Sequence, residues 1–367
     1  MARVLKLDYP LFYITLALAV FGFLMLSSAA IGLVGRRDGV SPTTVIVKQI
    51  VLGGGLGFLL LVIFSKLNYK LWFRFSLPIL ILASTLMLAV FIPGVGFSHG
   101  GATRWISIGS FTFQPSEIFK LAFICYIAAW LISKKGEVES AGFGLLPFLI
   151  MTMLASVMFV WQPDIGTLGI IVSTATGLFF AGGGRISHLA LAGLIILLAT
   201  GVIIIFEPYR RERILTYINP GADIQNSGYQ LHQSLIAIGS GGLTGRGFGE
   251  SIQKFNYLPE AIGDSIFAII GEEFGFLGTL ALISLFVALL WRSVIVLGRV
   301  RDQFARLFGL GIVLLIIIQS FFNMAALTGL LPLTGVPLTF VSQGGSALAV
   351  TLMSIGILLN ISKYQRV

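Results

Sequence analysis

Long apolar runs recur from one end of this chain to the other, and nothing constrains its fold more. Each is sufficient to cross a hydrocarbon core of about 30 Å with about 20 residues. Inside lipid every backbone donor and acceptor must be satisfied within the chain, and runs this long favour helices over a barrel. Only 11% of the 367 residues are charged and 56% are apolar, which argues against a pair of soluble domains. The expected fold is all-α: a polytopic membrane protein forming one helical domain over residues 1–367.

About ten spans are expected, near 9–29, 46–65, 71–93, 115–133, 144–161, 165–181, 187–206, 264–290, 304–329 and 345–362. With both termini in the cytoplasm, short inner connections hold Lys66, Lys70, Arg74, Lys134, Arg292, Arg299 and Arg301. That bias is what the positive-inside rule asks of short loops. The first run follows Arg3 and Lys6 without a convincing small-residue cleavage site, so it reads as a retained span and not a signal peptide. The single cysteine, Cys125, lies in an apolar run and reads as a small core residue. His99, His188 and His232 are far apart and have no metal spacing.

The outer side carries the irregular segments: about 94–114, the short Gln162-Pro163-Asp164 connection, the long loop 207–263 between the seventh and eighth spans, and an uncharged loop from Leu330 to Gly344. Apolar spacing through 229–238 suits an amphipathic helix on the membrane surface. The outer side also holds an unusual cation set: Arg104, Arg210, Arg211, Arg213, Arg246 and Lys254. Anionic lipid headgroups could account for it, or a lipid diphosphate held by charge-assisted contacts.

Asp264, in Gly263-Asp264-Ser265, sits where the long loop meets an apolar helix. It reads either as a helix cap or as a general base at the membrane boundary. Glu272 and Glu273, about two turns further into that span, read as braces, with Gly271 and Gly275 as a close-packing pair between helices. Glu117 and Lys120 follow Gln114-Pro115-Ser116, three residues apart on one helix face. A salt bridge and a bound anion at the helix start are both open. Arg104-Trp105 is an interfacial anchor or part of the anion site. The glycines of 239–249 lack the Gly-Lys-Ser/Thr ending of a nucleotide loop and read as turns, and Asp164 after Pro163 reads as turn chemistry. Ser342 to Ser346 break the last apolar region, which is tolerated only where protein buries the segment or it lines a cavity.

These stretches resemble the shape, elongation, division and sporulation (SEDS) family of membrane glycosyltransferases, which includes FtsW and RodA. The resemblance rests on Arg104-Trp105, Phe113 to Glu117 with Lys120, Gln162 to Thr167, Gln233 to Gly242, Tyr257 to Glu260 running to Asp264, Gly271 to Phe276, and Leu331 to Ser346. Phe91 to Gly96 is more similar to FtsW-type members than to RodA-type ones. The chain departs from the family's pattern at Gly100, at Ile262-Gly263 and at Gln343.

The resemblance implies polymerisation of lipid II on the outer face of the bacterial cytoplasmic membrane, for division or elongation. It maps the family's essential aspartate to Asp264 and its charged pair to Glu117 and Lys120. Substrate contacts are expected from Arg104, Trp105, Arg246, Lys254, Ser342 and Ser346. Expected partners are a class B penicillin-binding protein (a transpeptidase), divisome or elongasome proteins and the bilayer, with no nucleic acid. No cofactor is required by the residues; a divalent cation, Mg or Mn, on the substrate diphosphate is the one candidate. The alternatives are a lipid II flippase, which would suit broken helices and intramembrane acids, and a scaffold that only holds the transpeptidase.

Overall fold

The computed structural model describes residues 7–34, 41–99, 102–108, 111–188, 190–191, 193, 217–218 and 228–365. Most of the span expected near 187–206 lies outside these residues, as do Arg210, Arg211 and Arg213.

In chain order the helices longer than a turn or two are α1 (Tyr9–Ile31), α2 (Pro42–Lys66), α3 (Ser76–Ala89), α4 (Pro115–Ser133), α5 (Ala141–Trp161), α6 (Ile165–Ala181), α7 (Tyr229–Ser240), α8 (Ile266–Gly298), α9 (Gln303–Leu327) and α10 (Gly345–Ser362), with a short helical turn at Lys70–Arg74. Among the described residues seven are long and apolar enough to cross a membrane, and the shorter α3 and α6 are also apolar. The segment expected to be irregular near 94–114 instead holds a three-stranded antiparallel sheet, β1 (Gly96–His99), β2 (Ala102–Ile108) and β3 (Phe111–Phe113). Phe97 pairs with Trp105, and Ile106 with Phe113.

The centre of the bundle is α10, buried from Leu348 to Ser362. It packs on α2 through small residues, which lets backbones approach where lipid offers no hydrophobic drive. A Cβ on Gly356 would fall 2.5 Å from the Leu61 carbonyl oxygen. At one end of the bundle Arg292 forks onto Asp8 at 2.9 and 2.7 Å. The Asp8 N–H donates to Ser362 Oγ at 3.2 Å, and Asn360 bridges Tyr69 and Ser65. Both ends of the described chain therefore share this face.

At 33 residues, α8 would be about 50 Å long if straight, well beyond a hydrocarbon core. It is broken at Gly275, with φ 62° and ψ −158°. An unbroken helix would bond the 276 and 277 N–H groups to the 272 and 273 carbonyls. Here the glycine-rich loop enters that gap. The Arg246 and Gly247 N–H groups donate to the Glu272 and Glu273 carbonyls, both at 3.0 Å, and the Phe276 and Leu277 N–H groups donate to the Gly242 and Leu243 carbonyls at 2.9 and 3.0 Å. The loop thus replaces both missing helical bonds on both sides. Gly245 at φ 80° and Gly275 make the approach feasible, since a Cβ on Gly275 would lie 2.4 Å from the Gly245 nitrogen.

The long apolar helix begins at Ile266, close to the expected start at 264, and is interrupted at Gly275. Glu272 and Glu273 lie about two turns into α8 as expected: Glu273 meets Ser28 near the end of α1, while Asp8 at the other end of α1 meets Arg292. Gly271 and Gly275 are close-packed, but against Ile238 and the inserted loop and not against another span. The helix expected at 229–238 is α7; it buries Leu231, Ser234 and Ala237 and packs on the first part of α8.

Candidate active site

Asp264 lies at the seam between the long loop and α8, half-buried. The first residue of α8 is Ile266, with Ser265 in the capping position, so the carboxylate stands one residue outside the helix and the capping reading gives way. Gln230 Nε2, carried by α7, donates to Asp264 Oδ1 at 3.2 Å and to Ser265 Oγ at 3.0 Å. From α9, Asn323 Nδ2 donates to the Asp264 carbonyl at 2.7 Å and to the Val336 carbonyl at 2.8 Å. Gly335, at φ 67°, passes beside the carboxylate: a Cβ there would be 3.7 Å from Asp264 Oδ2.

Lys120 and Glu117 sit in the first turns of α4, where Pro115 starts the helix without needing an N–H donor. Both are buried, and Lys120 Nζ donates to Glu117 Oε1 at 2.9 Å. Its second partner is Gln319 Oε1 on α9, at 2.7 Å. Gln319 Nε2 then donates to the Pro337 carbonyl at 3.1 Å. The ion pair and Asp264 are therefore joined through one face of α9 and the 335–337 segment. A buried ion pair is costly to assemble, and here each charge offsets the other while Gln319 supplies the ammonium's second contact.

Within the last loop Val336 and Leu338 to Ser342 are buried in protein, while Leu330, Gly335 and Gln343 are exposed. Gln343 N–H donates to the Ile262 carbonyl at 2.8 Å, and Gly344 N–H to Gln49 Oε1 at 3.0 Å. Ser342 was expected to contact substrate; instead it is buried, and its hydroxyl accepts from Leu338 N–H at 2.8 Å, closing a turn. Ser346 is half-buried, and its Oγ has no partner among the described residues.

The expected substrate cations divide. Lys254 is fully buried and its ammonium is spent on Glu273 at 2.9 Å, Ser28 at 3.1 Å and the Gly249 carbonyl at 2.6 Å, so it is a brace and not a phosphate ligand. Glu272 braces the same loop, accepting from Ser251 Oγ at 2.5 Å and from the Ile252 and Gln253 N–H groups. Arg246 lies 3.5 Å from Glu272 with 37% of its side chain exposed, so it keeps a face for an anion. Arg104 straps β2 onto the turn before α6: Nε donates to the Gln162 carbonyl at 3.0 Å, another arm to the Pro163 carbonyl, and Nη1 lies 3.9 Å from Asp164. The strap fixes the guanidinium, and the side chain stays 27% exposed. Trp105 is half-buried in the sheet beside it. Asp164 caps α6, accepting from Thr167 N–H at 3.2 Å.

Sequence reasoning passed over Gln230, Gln319 and Asn323. The signal was present, since Gln319 and Asn323 are amides four residues apart in an otherwise apolar span. Among the described residues no group of three or more His, Cys, Asp or Glu is placed to share a metal ion.

A family model described as cell cycle protein, covering FtsW, RodA and SpoVE, matches residues 9–367. Stage V sporulation protein E of Bacillus subtilis is 38% identical over 98% of this chain and 98% of its own length. The probable peptidoglycan glycosyltransferase FtsW of Geobacter sulfurreducens is 38% identical over 97% of this chain and 95% of its own. Among solved structures, one chain from a peptidoglycan synthase complex that coordinates polymerization and crosslinking superposes with a TM-score of 0.82 at 26% identity, covering 99% of both chains. The crystal structure of the rod shape determining protein RodA of Thermus thermophilus superposes with a TM-score of 0.71 at 25% identity, covering 98% of this chain and 99% of that one. A multi-pass helical bundle of this kind is a membrane glycosyltransferase scaffold, and this chain belongs to the FtsW/RodA/SpoVE (SEDS) family.

Proposed function

We propose that this protein is a peptidoglycan glycosyltransferase that polymerises lipid II on the outer face of the bacterial cytoplasmic membrane, with both termini inside. The observation that carries the reading is Asp264 itself: a half-buried carboxylate at a loop–helix seam, met by Gln230, with its backbone carbonyl held by Asn323 on the helix whose Gln319 meets a buried Lys120–Glu117 pair. Relatives named as peptidoglycan glycosyltransferases over nearly the whole chain support the reaction class.

In this reading Asp264 takes the proton from the acceptor GlcNAc 4-hydroxyl as that oxygen attacks the donor's anomeric carbon. The bond to undecaprenyl diphosphate breaks with inversion, and the diphosphate leaves with the electron pair. Lys120 and its helix start favour the developing negative charge through the local field. Arg246 offers an exposed guanidinium for direct contact. A divalent cation, if used, arrives on the substrate diphosphate. A class B penicillin-binding protein is the proposed partner, supported by the likeness to a chain from a complex that couples polymerization to crosslinking.

The test is purified protein, with and without its partner, incubated in detergent with labelled lipid II. Wild type should give glycan strands, and Asp264→Asn should give none while unfolding at the wild-type temperature. Asp264→Asn polymerising at the normal rate would remove Asp264 from the chemistry. A flippase would move lipid II in vesicles and make no polymer in detergent.

A further inference from the structure

We propose that Asn323 and Gln319 are positioning residues that hold Asp264 and Lys120 in one fixed relation, using the Val336–Pro337 backbone as the tie between them. The inference rests on the reading of Asp264 as the general base and adds two residues to it.

The geometry is specific. Gln319 and Asn323 lie one turn apart on α9 and share a face. They donate to consecutive carbonyls, Pro337 at 3.1 Å and Val336 at 2.8 Å. Their remaining contacts run to the two ends of the site: Gln319 Oε1 to Lys120 Nζ at 2.7 Å, and Asn323 Nδ2 to the Asp264 carbonyl at 2.7 Å. Partner chemistry fixes the orientation of both amides. An ammonium can only meet the amide oxygen, and a carbonyl can only meet the amide nitrogen. The backbone they hold passes beside the Asp264 carboxylate at Gly335.

Anchoring a loop would not by itself require this arrangement, because the loop has other ties, at Gln343 to Ile262, Gly344 to Gln49 and the Ser342 carbonyl to Gln49. What the amides add is a rigid path from the buried cation on α4 to the acid at the start of α8. Small misplacements of a base are costly, and a shift of about 1 Å can lower a rate about 100-fold.

The experiment is steady-state lipid II polymerisation by the full-length protein with its partner. Asn323→Leu and Gln319→Leu should each lower kcat by about 10- to 100-fold while KM changes less than about 3-fold. Asn323→Ser, which keeps one short donor, should fall between wild type and Asn323→Leu. Asn323→Leu should also cost far less in an Asp264→Glu background, where the carboxylate is already displaced, than in wild type. Should Asn323→Leu fail to fold, Asn323→Ser carries the same comparison. Normal kcat in both α9 variants, equal changes in kcat and KM, or additive losses with Asp264→Glu would each overturn the proposal. An inactive Asp264→Asn beside a normal Asn323→Leu would overturn this proposal alone, whereas an active Asp264→Asn would overturn the base assignment beneath it.

Discussion

Lys254 Nζ lies 2.9 Å from Glu273 Oε1, and neither side chain is exposed. The pair ties the long loop to α8 just before its break, with Ser28 of α1 as a third member. Removing one member of such a pair strands the other in a dry site. Lys254→Met should therefore lower stability by about 3–5 kcal/mol. The double variant Lys254→Met with Glu273→Met should recover a large part of that loss, since no buried charge is left unpaired. Denaturant unfolding in detergent reads both.

The break in α8 depends on Gly275. A side chain there meets a backbone conformation that costs about 1–3 kcal/mol, and its Cβ would meet the Gly245 nitrogen as well. Gly275→Ala should lower the melting temperature and free the 242–247 loop, which faster proteolysis within the loop would report. Gly298→Ala, where a Cβ meets open space at the far end of the same helix, should change neither.

Lys120 touches Glu117 and Gln319 through one compact ammonium. A planar guanidinium on a longer stem cannot reproduce both contacts in that buried space. Lys120→Arg should thus fail to rescue the activity lost in Lys120→Met, despite keeping the charge. Both should lower lipid II polymerisation by about 100-fold or more, the scale of losing one preorganised electrostatic contact.

At the opposite end of the bundle, burial pushes the Asp8 carboxyl upward, but the Arg292 fork and the Leu11 N–H outweigh it and hold it below the ordinary carboxylate range. A carboxyl depressed in the folded state contributes stability above its unfolded pKa, about 3.9, and loses it as pH falls through the folded value. Asp8→Asn should be less stable than wild type at pH 7. The gap should narrow below about pH 4, as melting temperatures across that range would show.

Most of the spans were legible because hydropathy is a local property: each run of about twenty apolar residues declares itself without its neighbours. Asp264 was legible too, as a lone acid at a seam. The break at Gly275 was not. Gly271 to Phe276 looks like a packing motif, and what distinguishes it is a set of hydrogen bonds to residues some thirty positions earlier, which no local pattern encodes. Lys254 was misread for the same reason: as an isolated cation in an outer loop it resembles a ligand for phosphate, and only its distant partners show it to be internal. The contacts of Arg104 with the 162–164 turn are likewise distant in sequence.

The burial of α10 has a consequence for how the protein is made. This helix follows every other described helix in the chain, yet it fills the middle of the bundle. The most buried of the candidate spans is therefore the last to be made. Until α10 emerges, the face of α2 that carries Gly57 and Leu61 has no permanent neighbour, and Asn360 is not yet present to join Ser65 to Tyr69. That face of α2 therefore stays open until the end of synthesis, and a chain stopped before Gly345 would leave it uncovered.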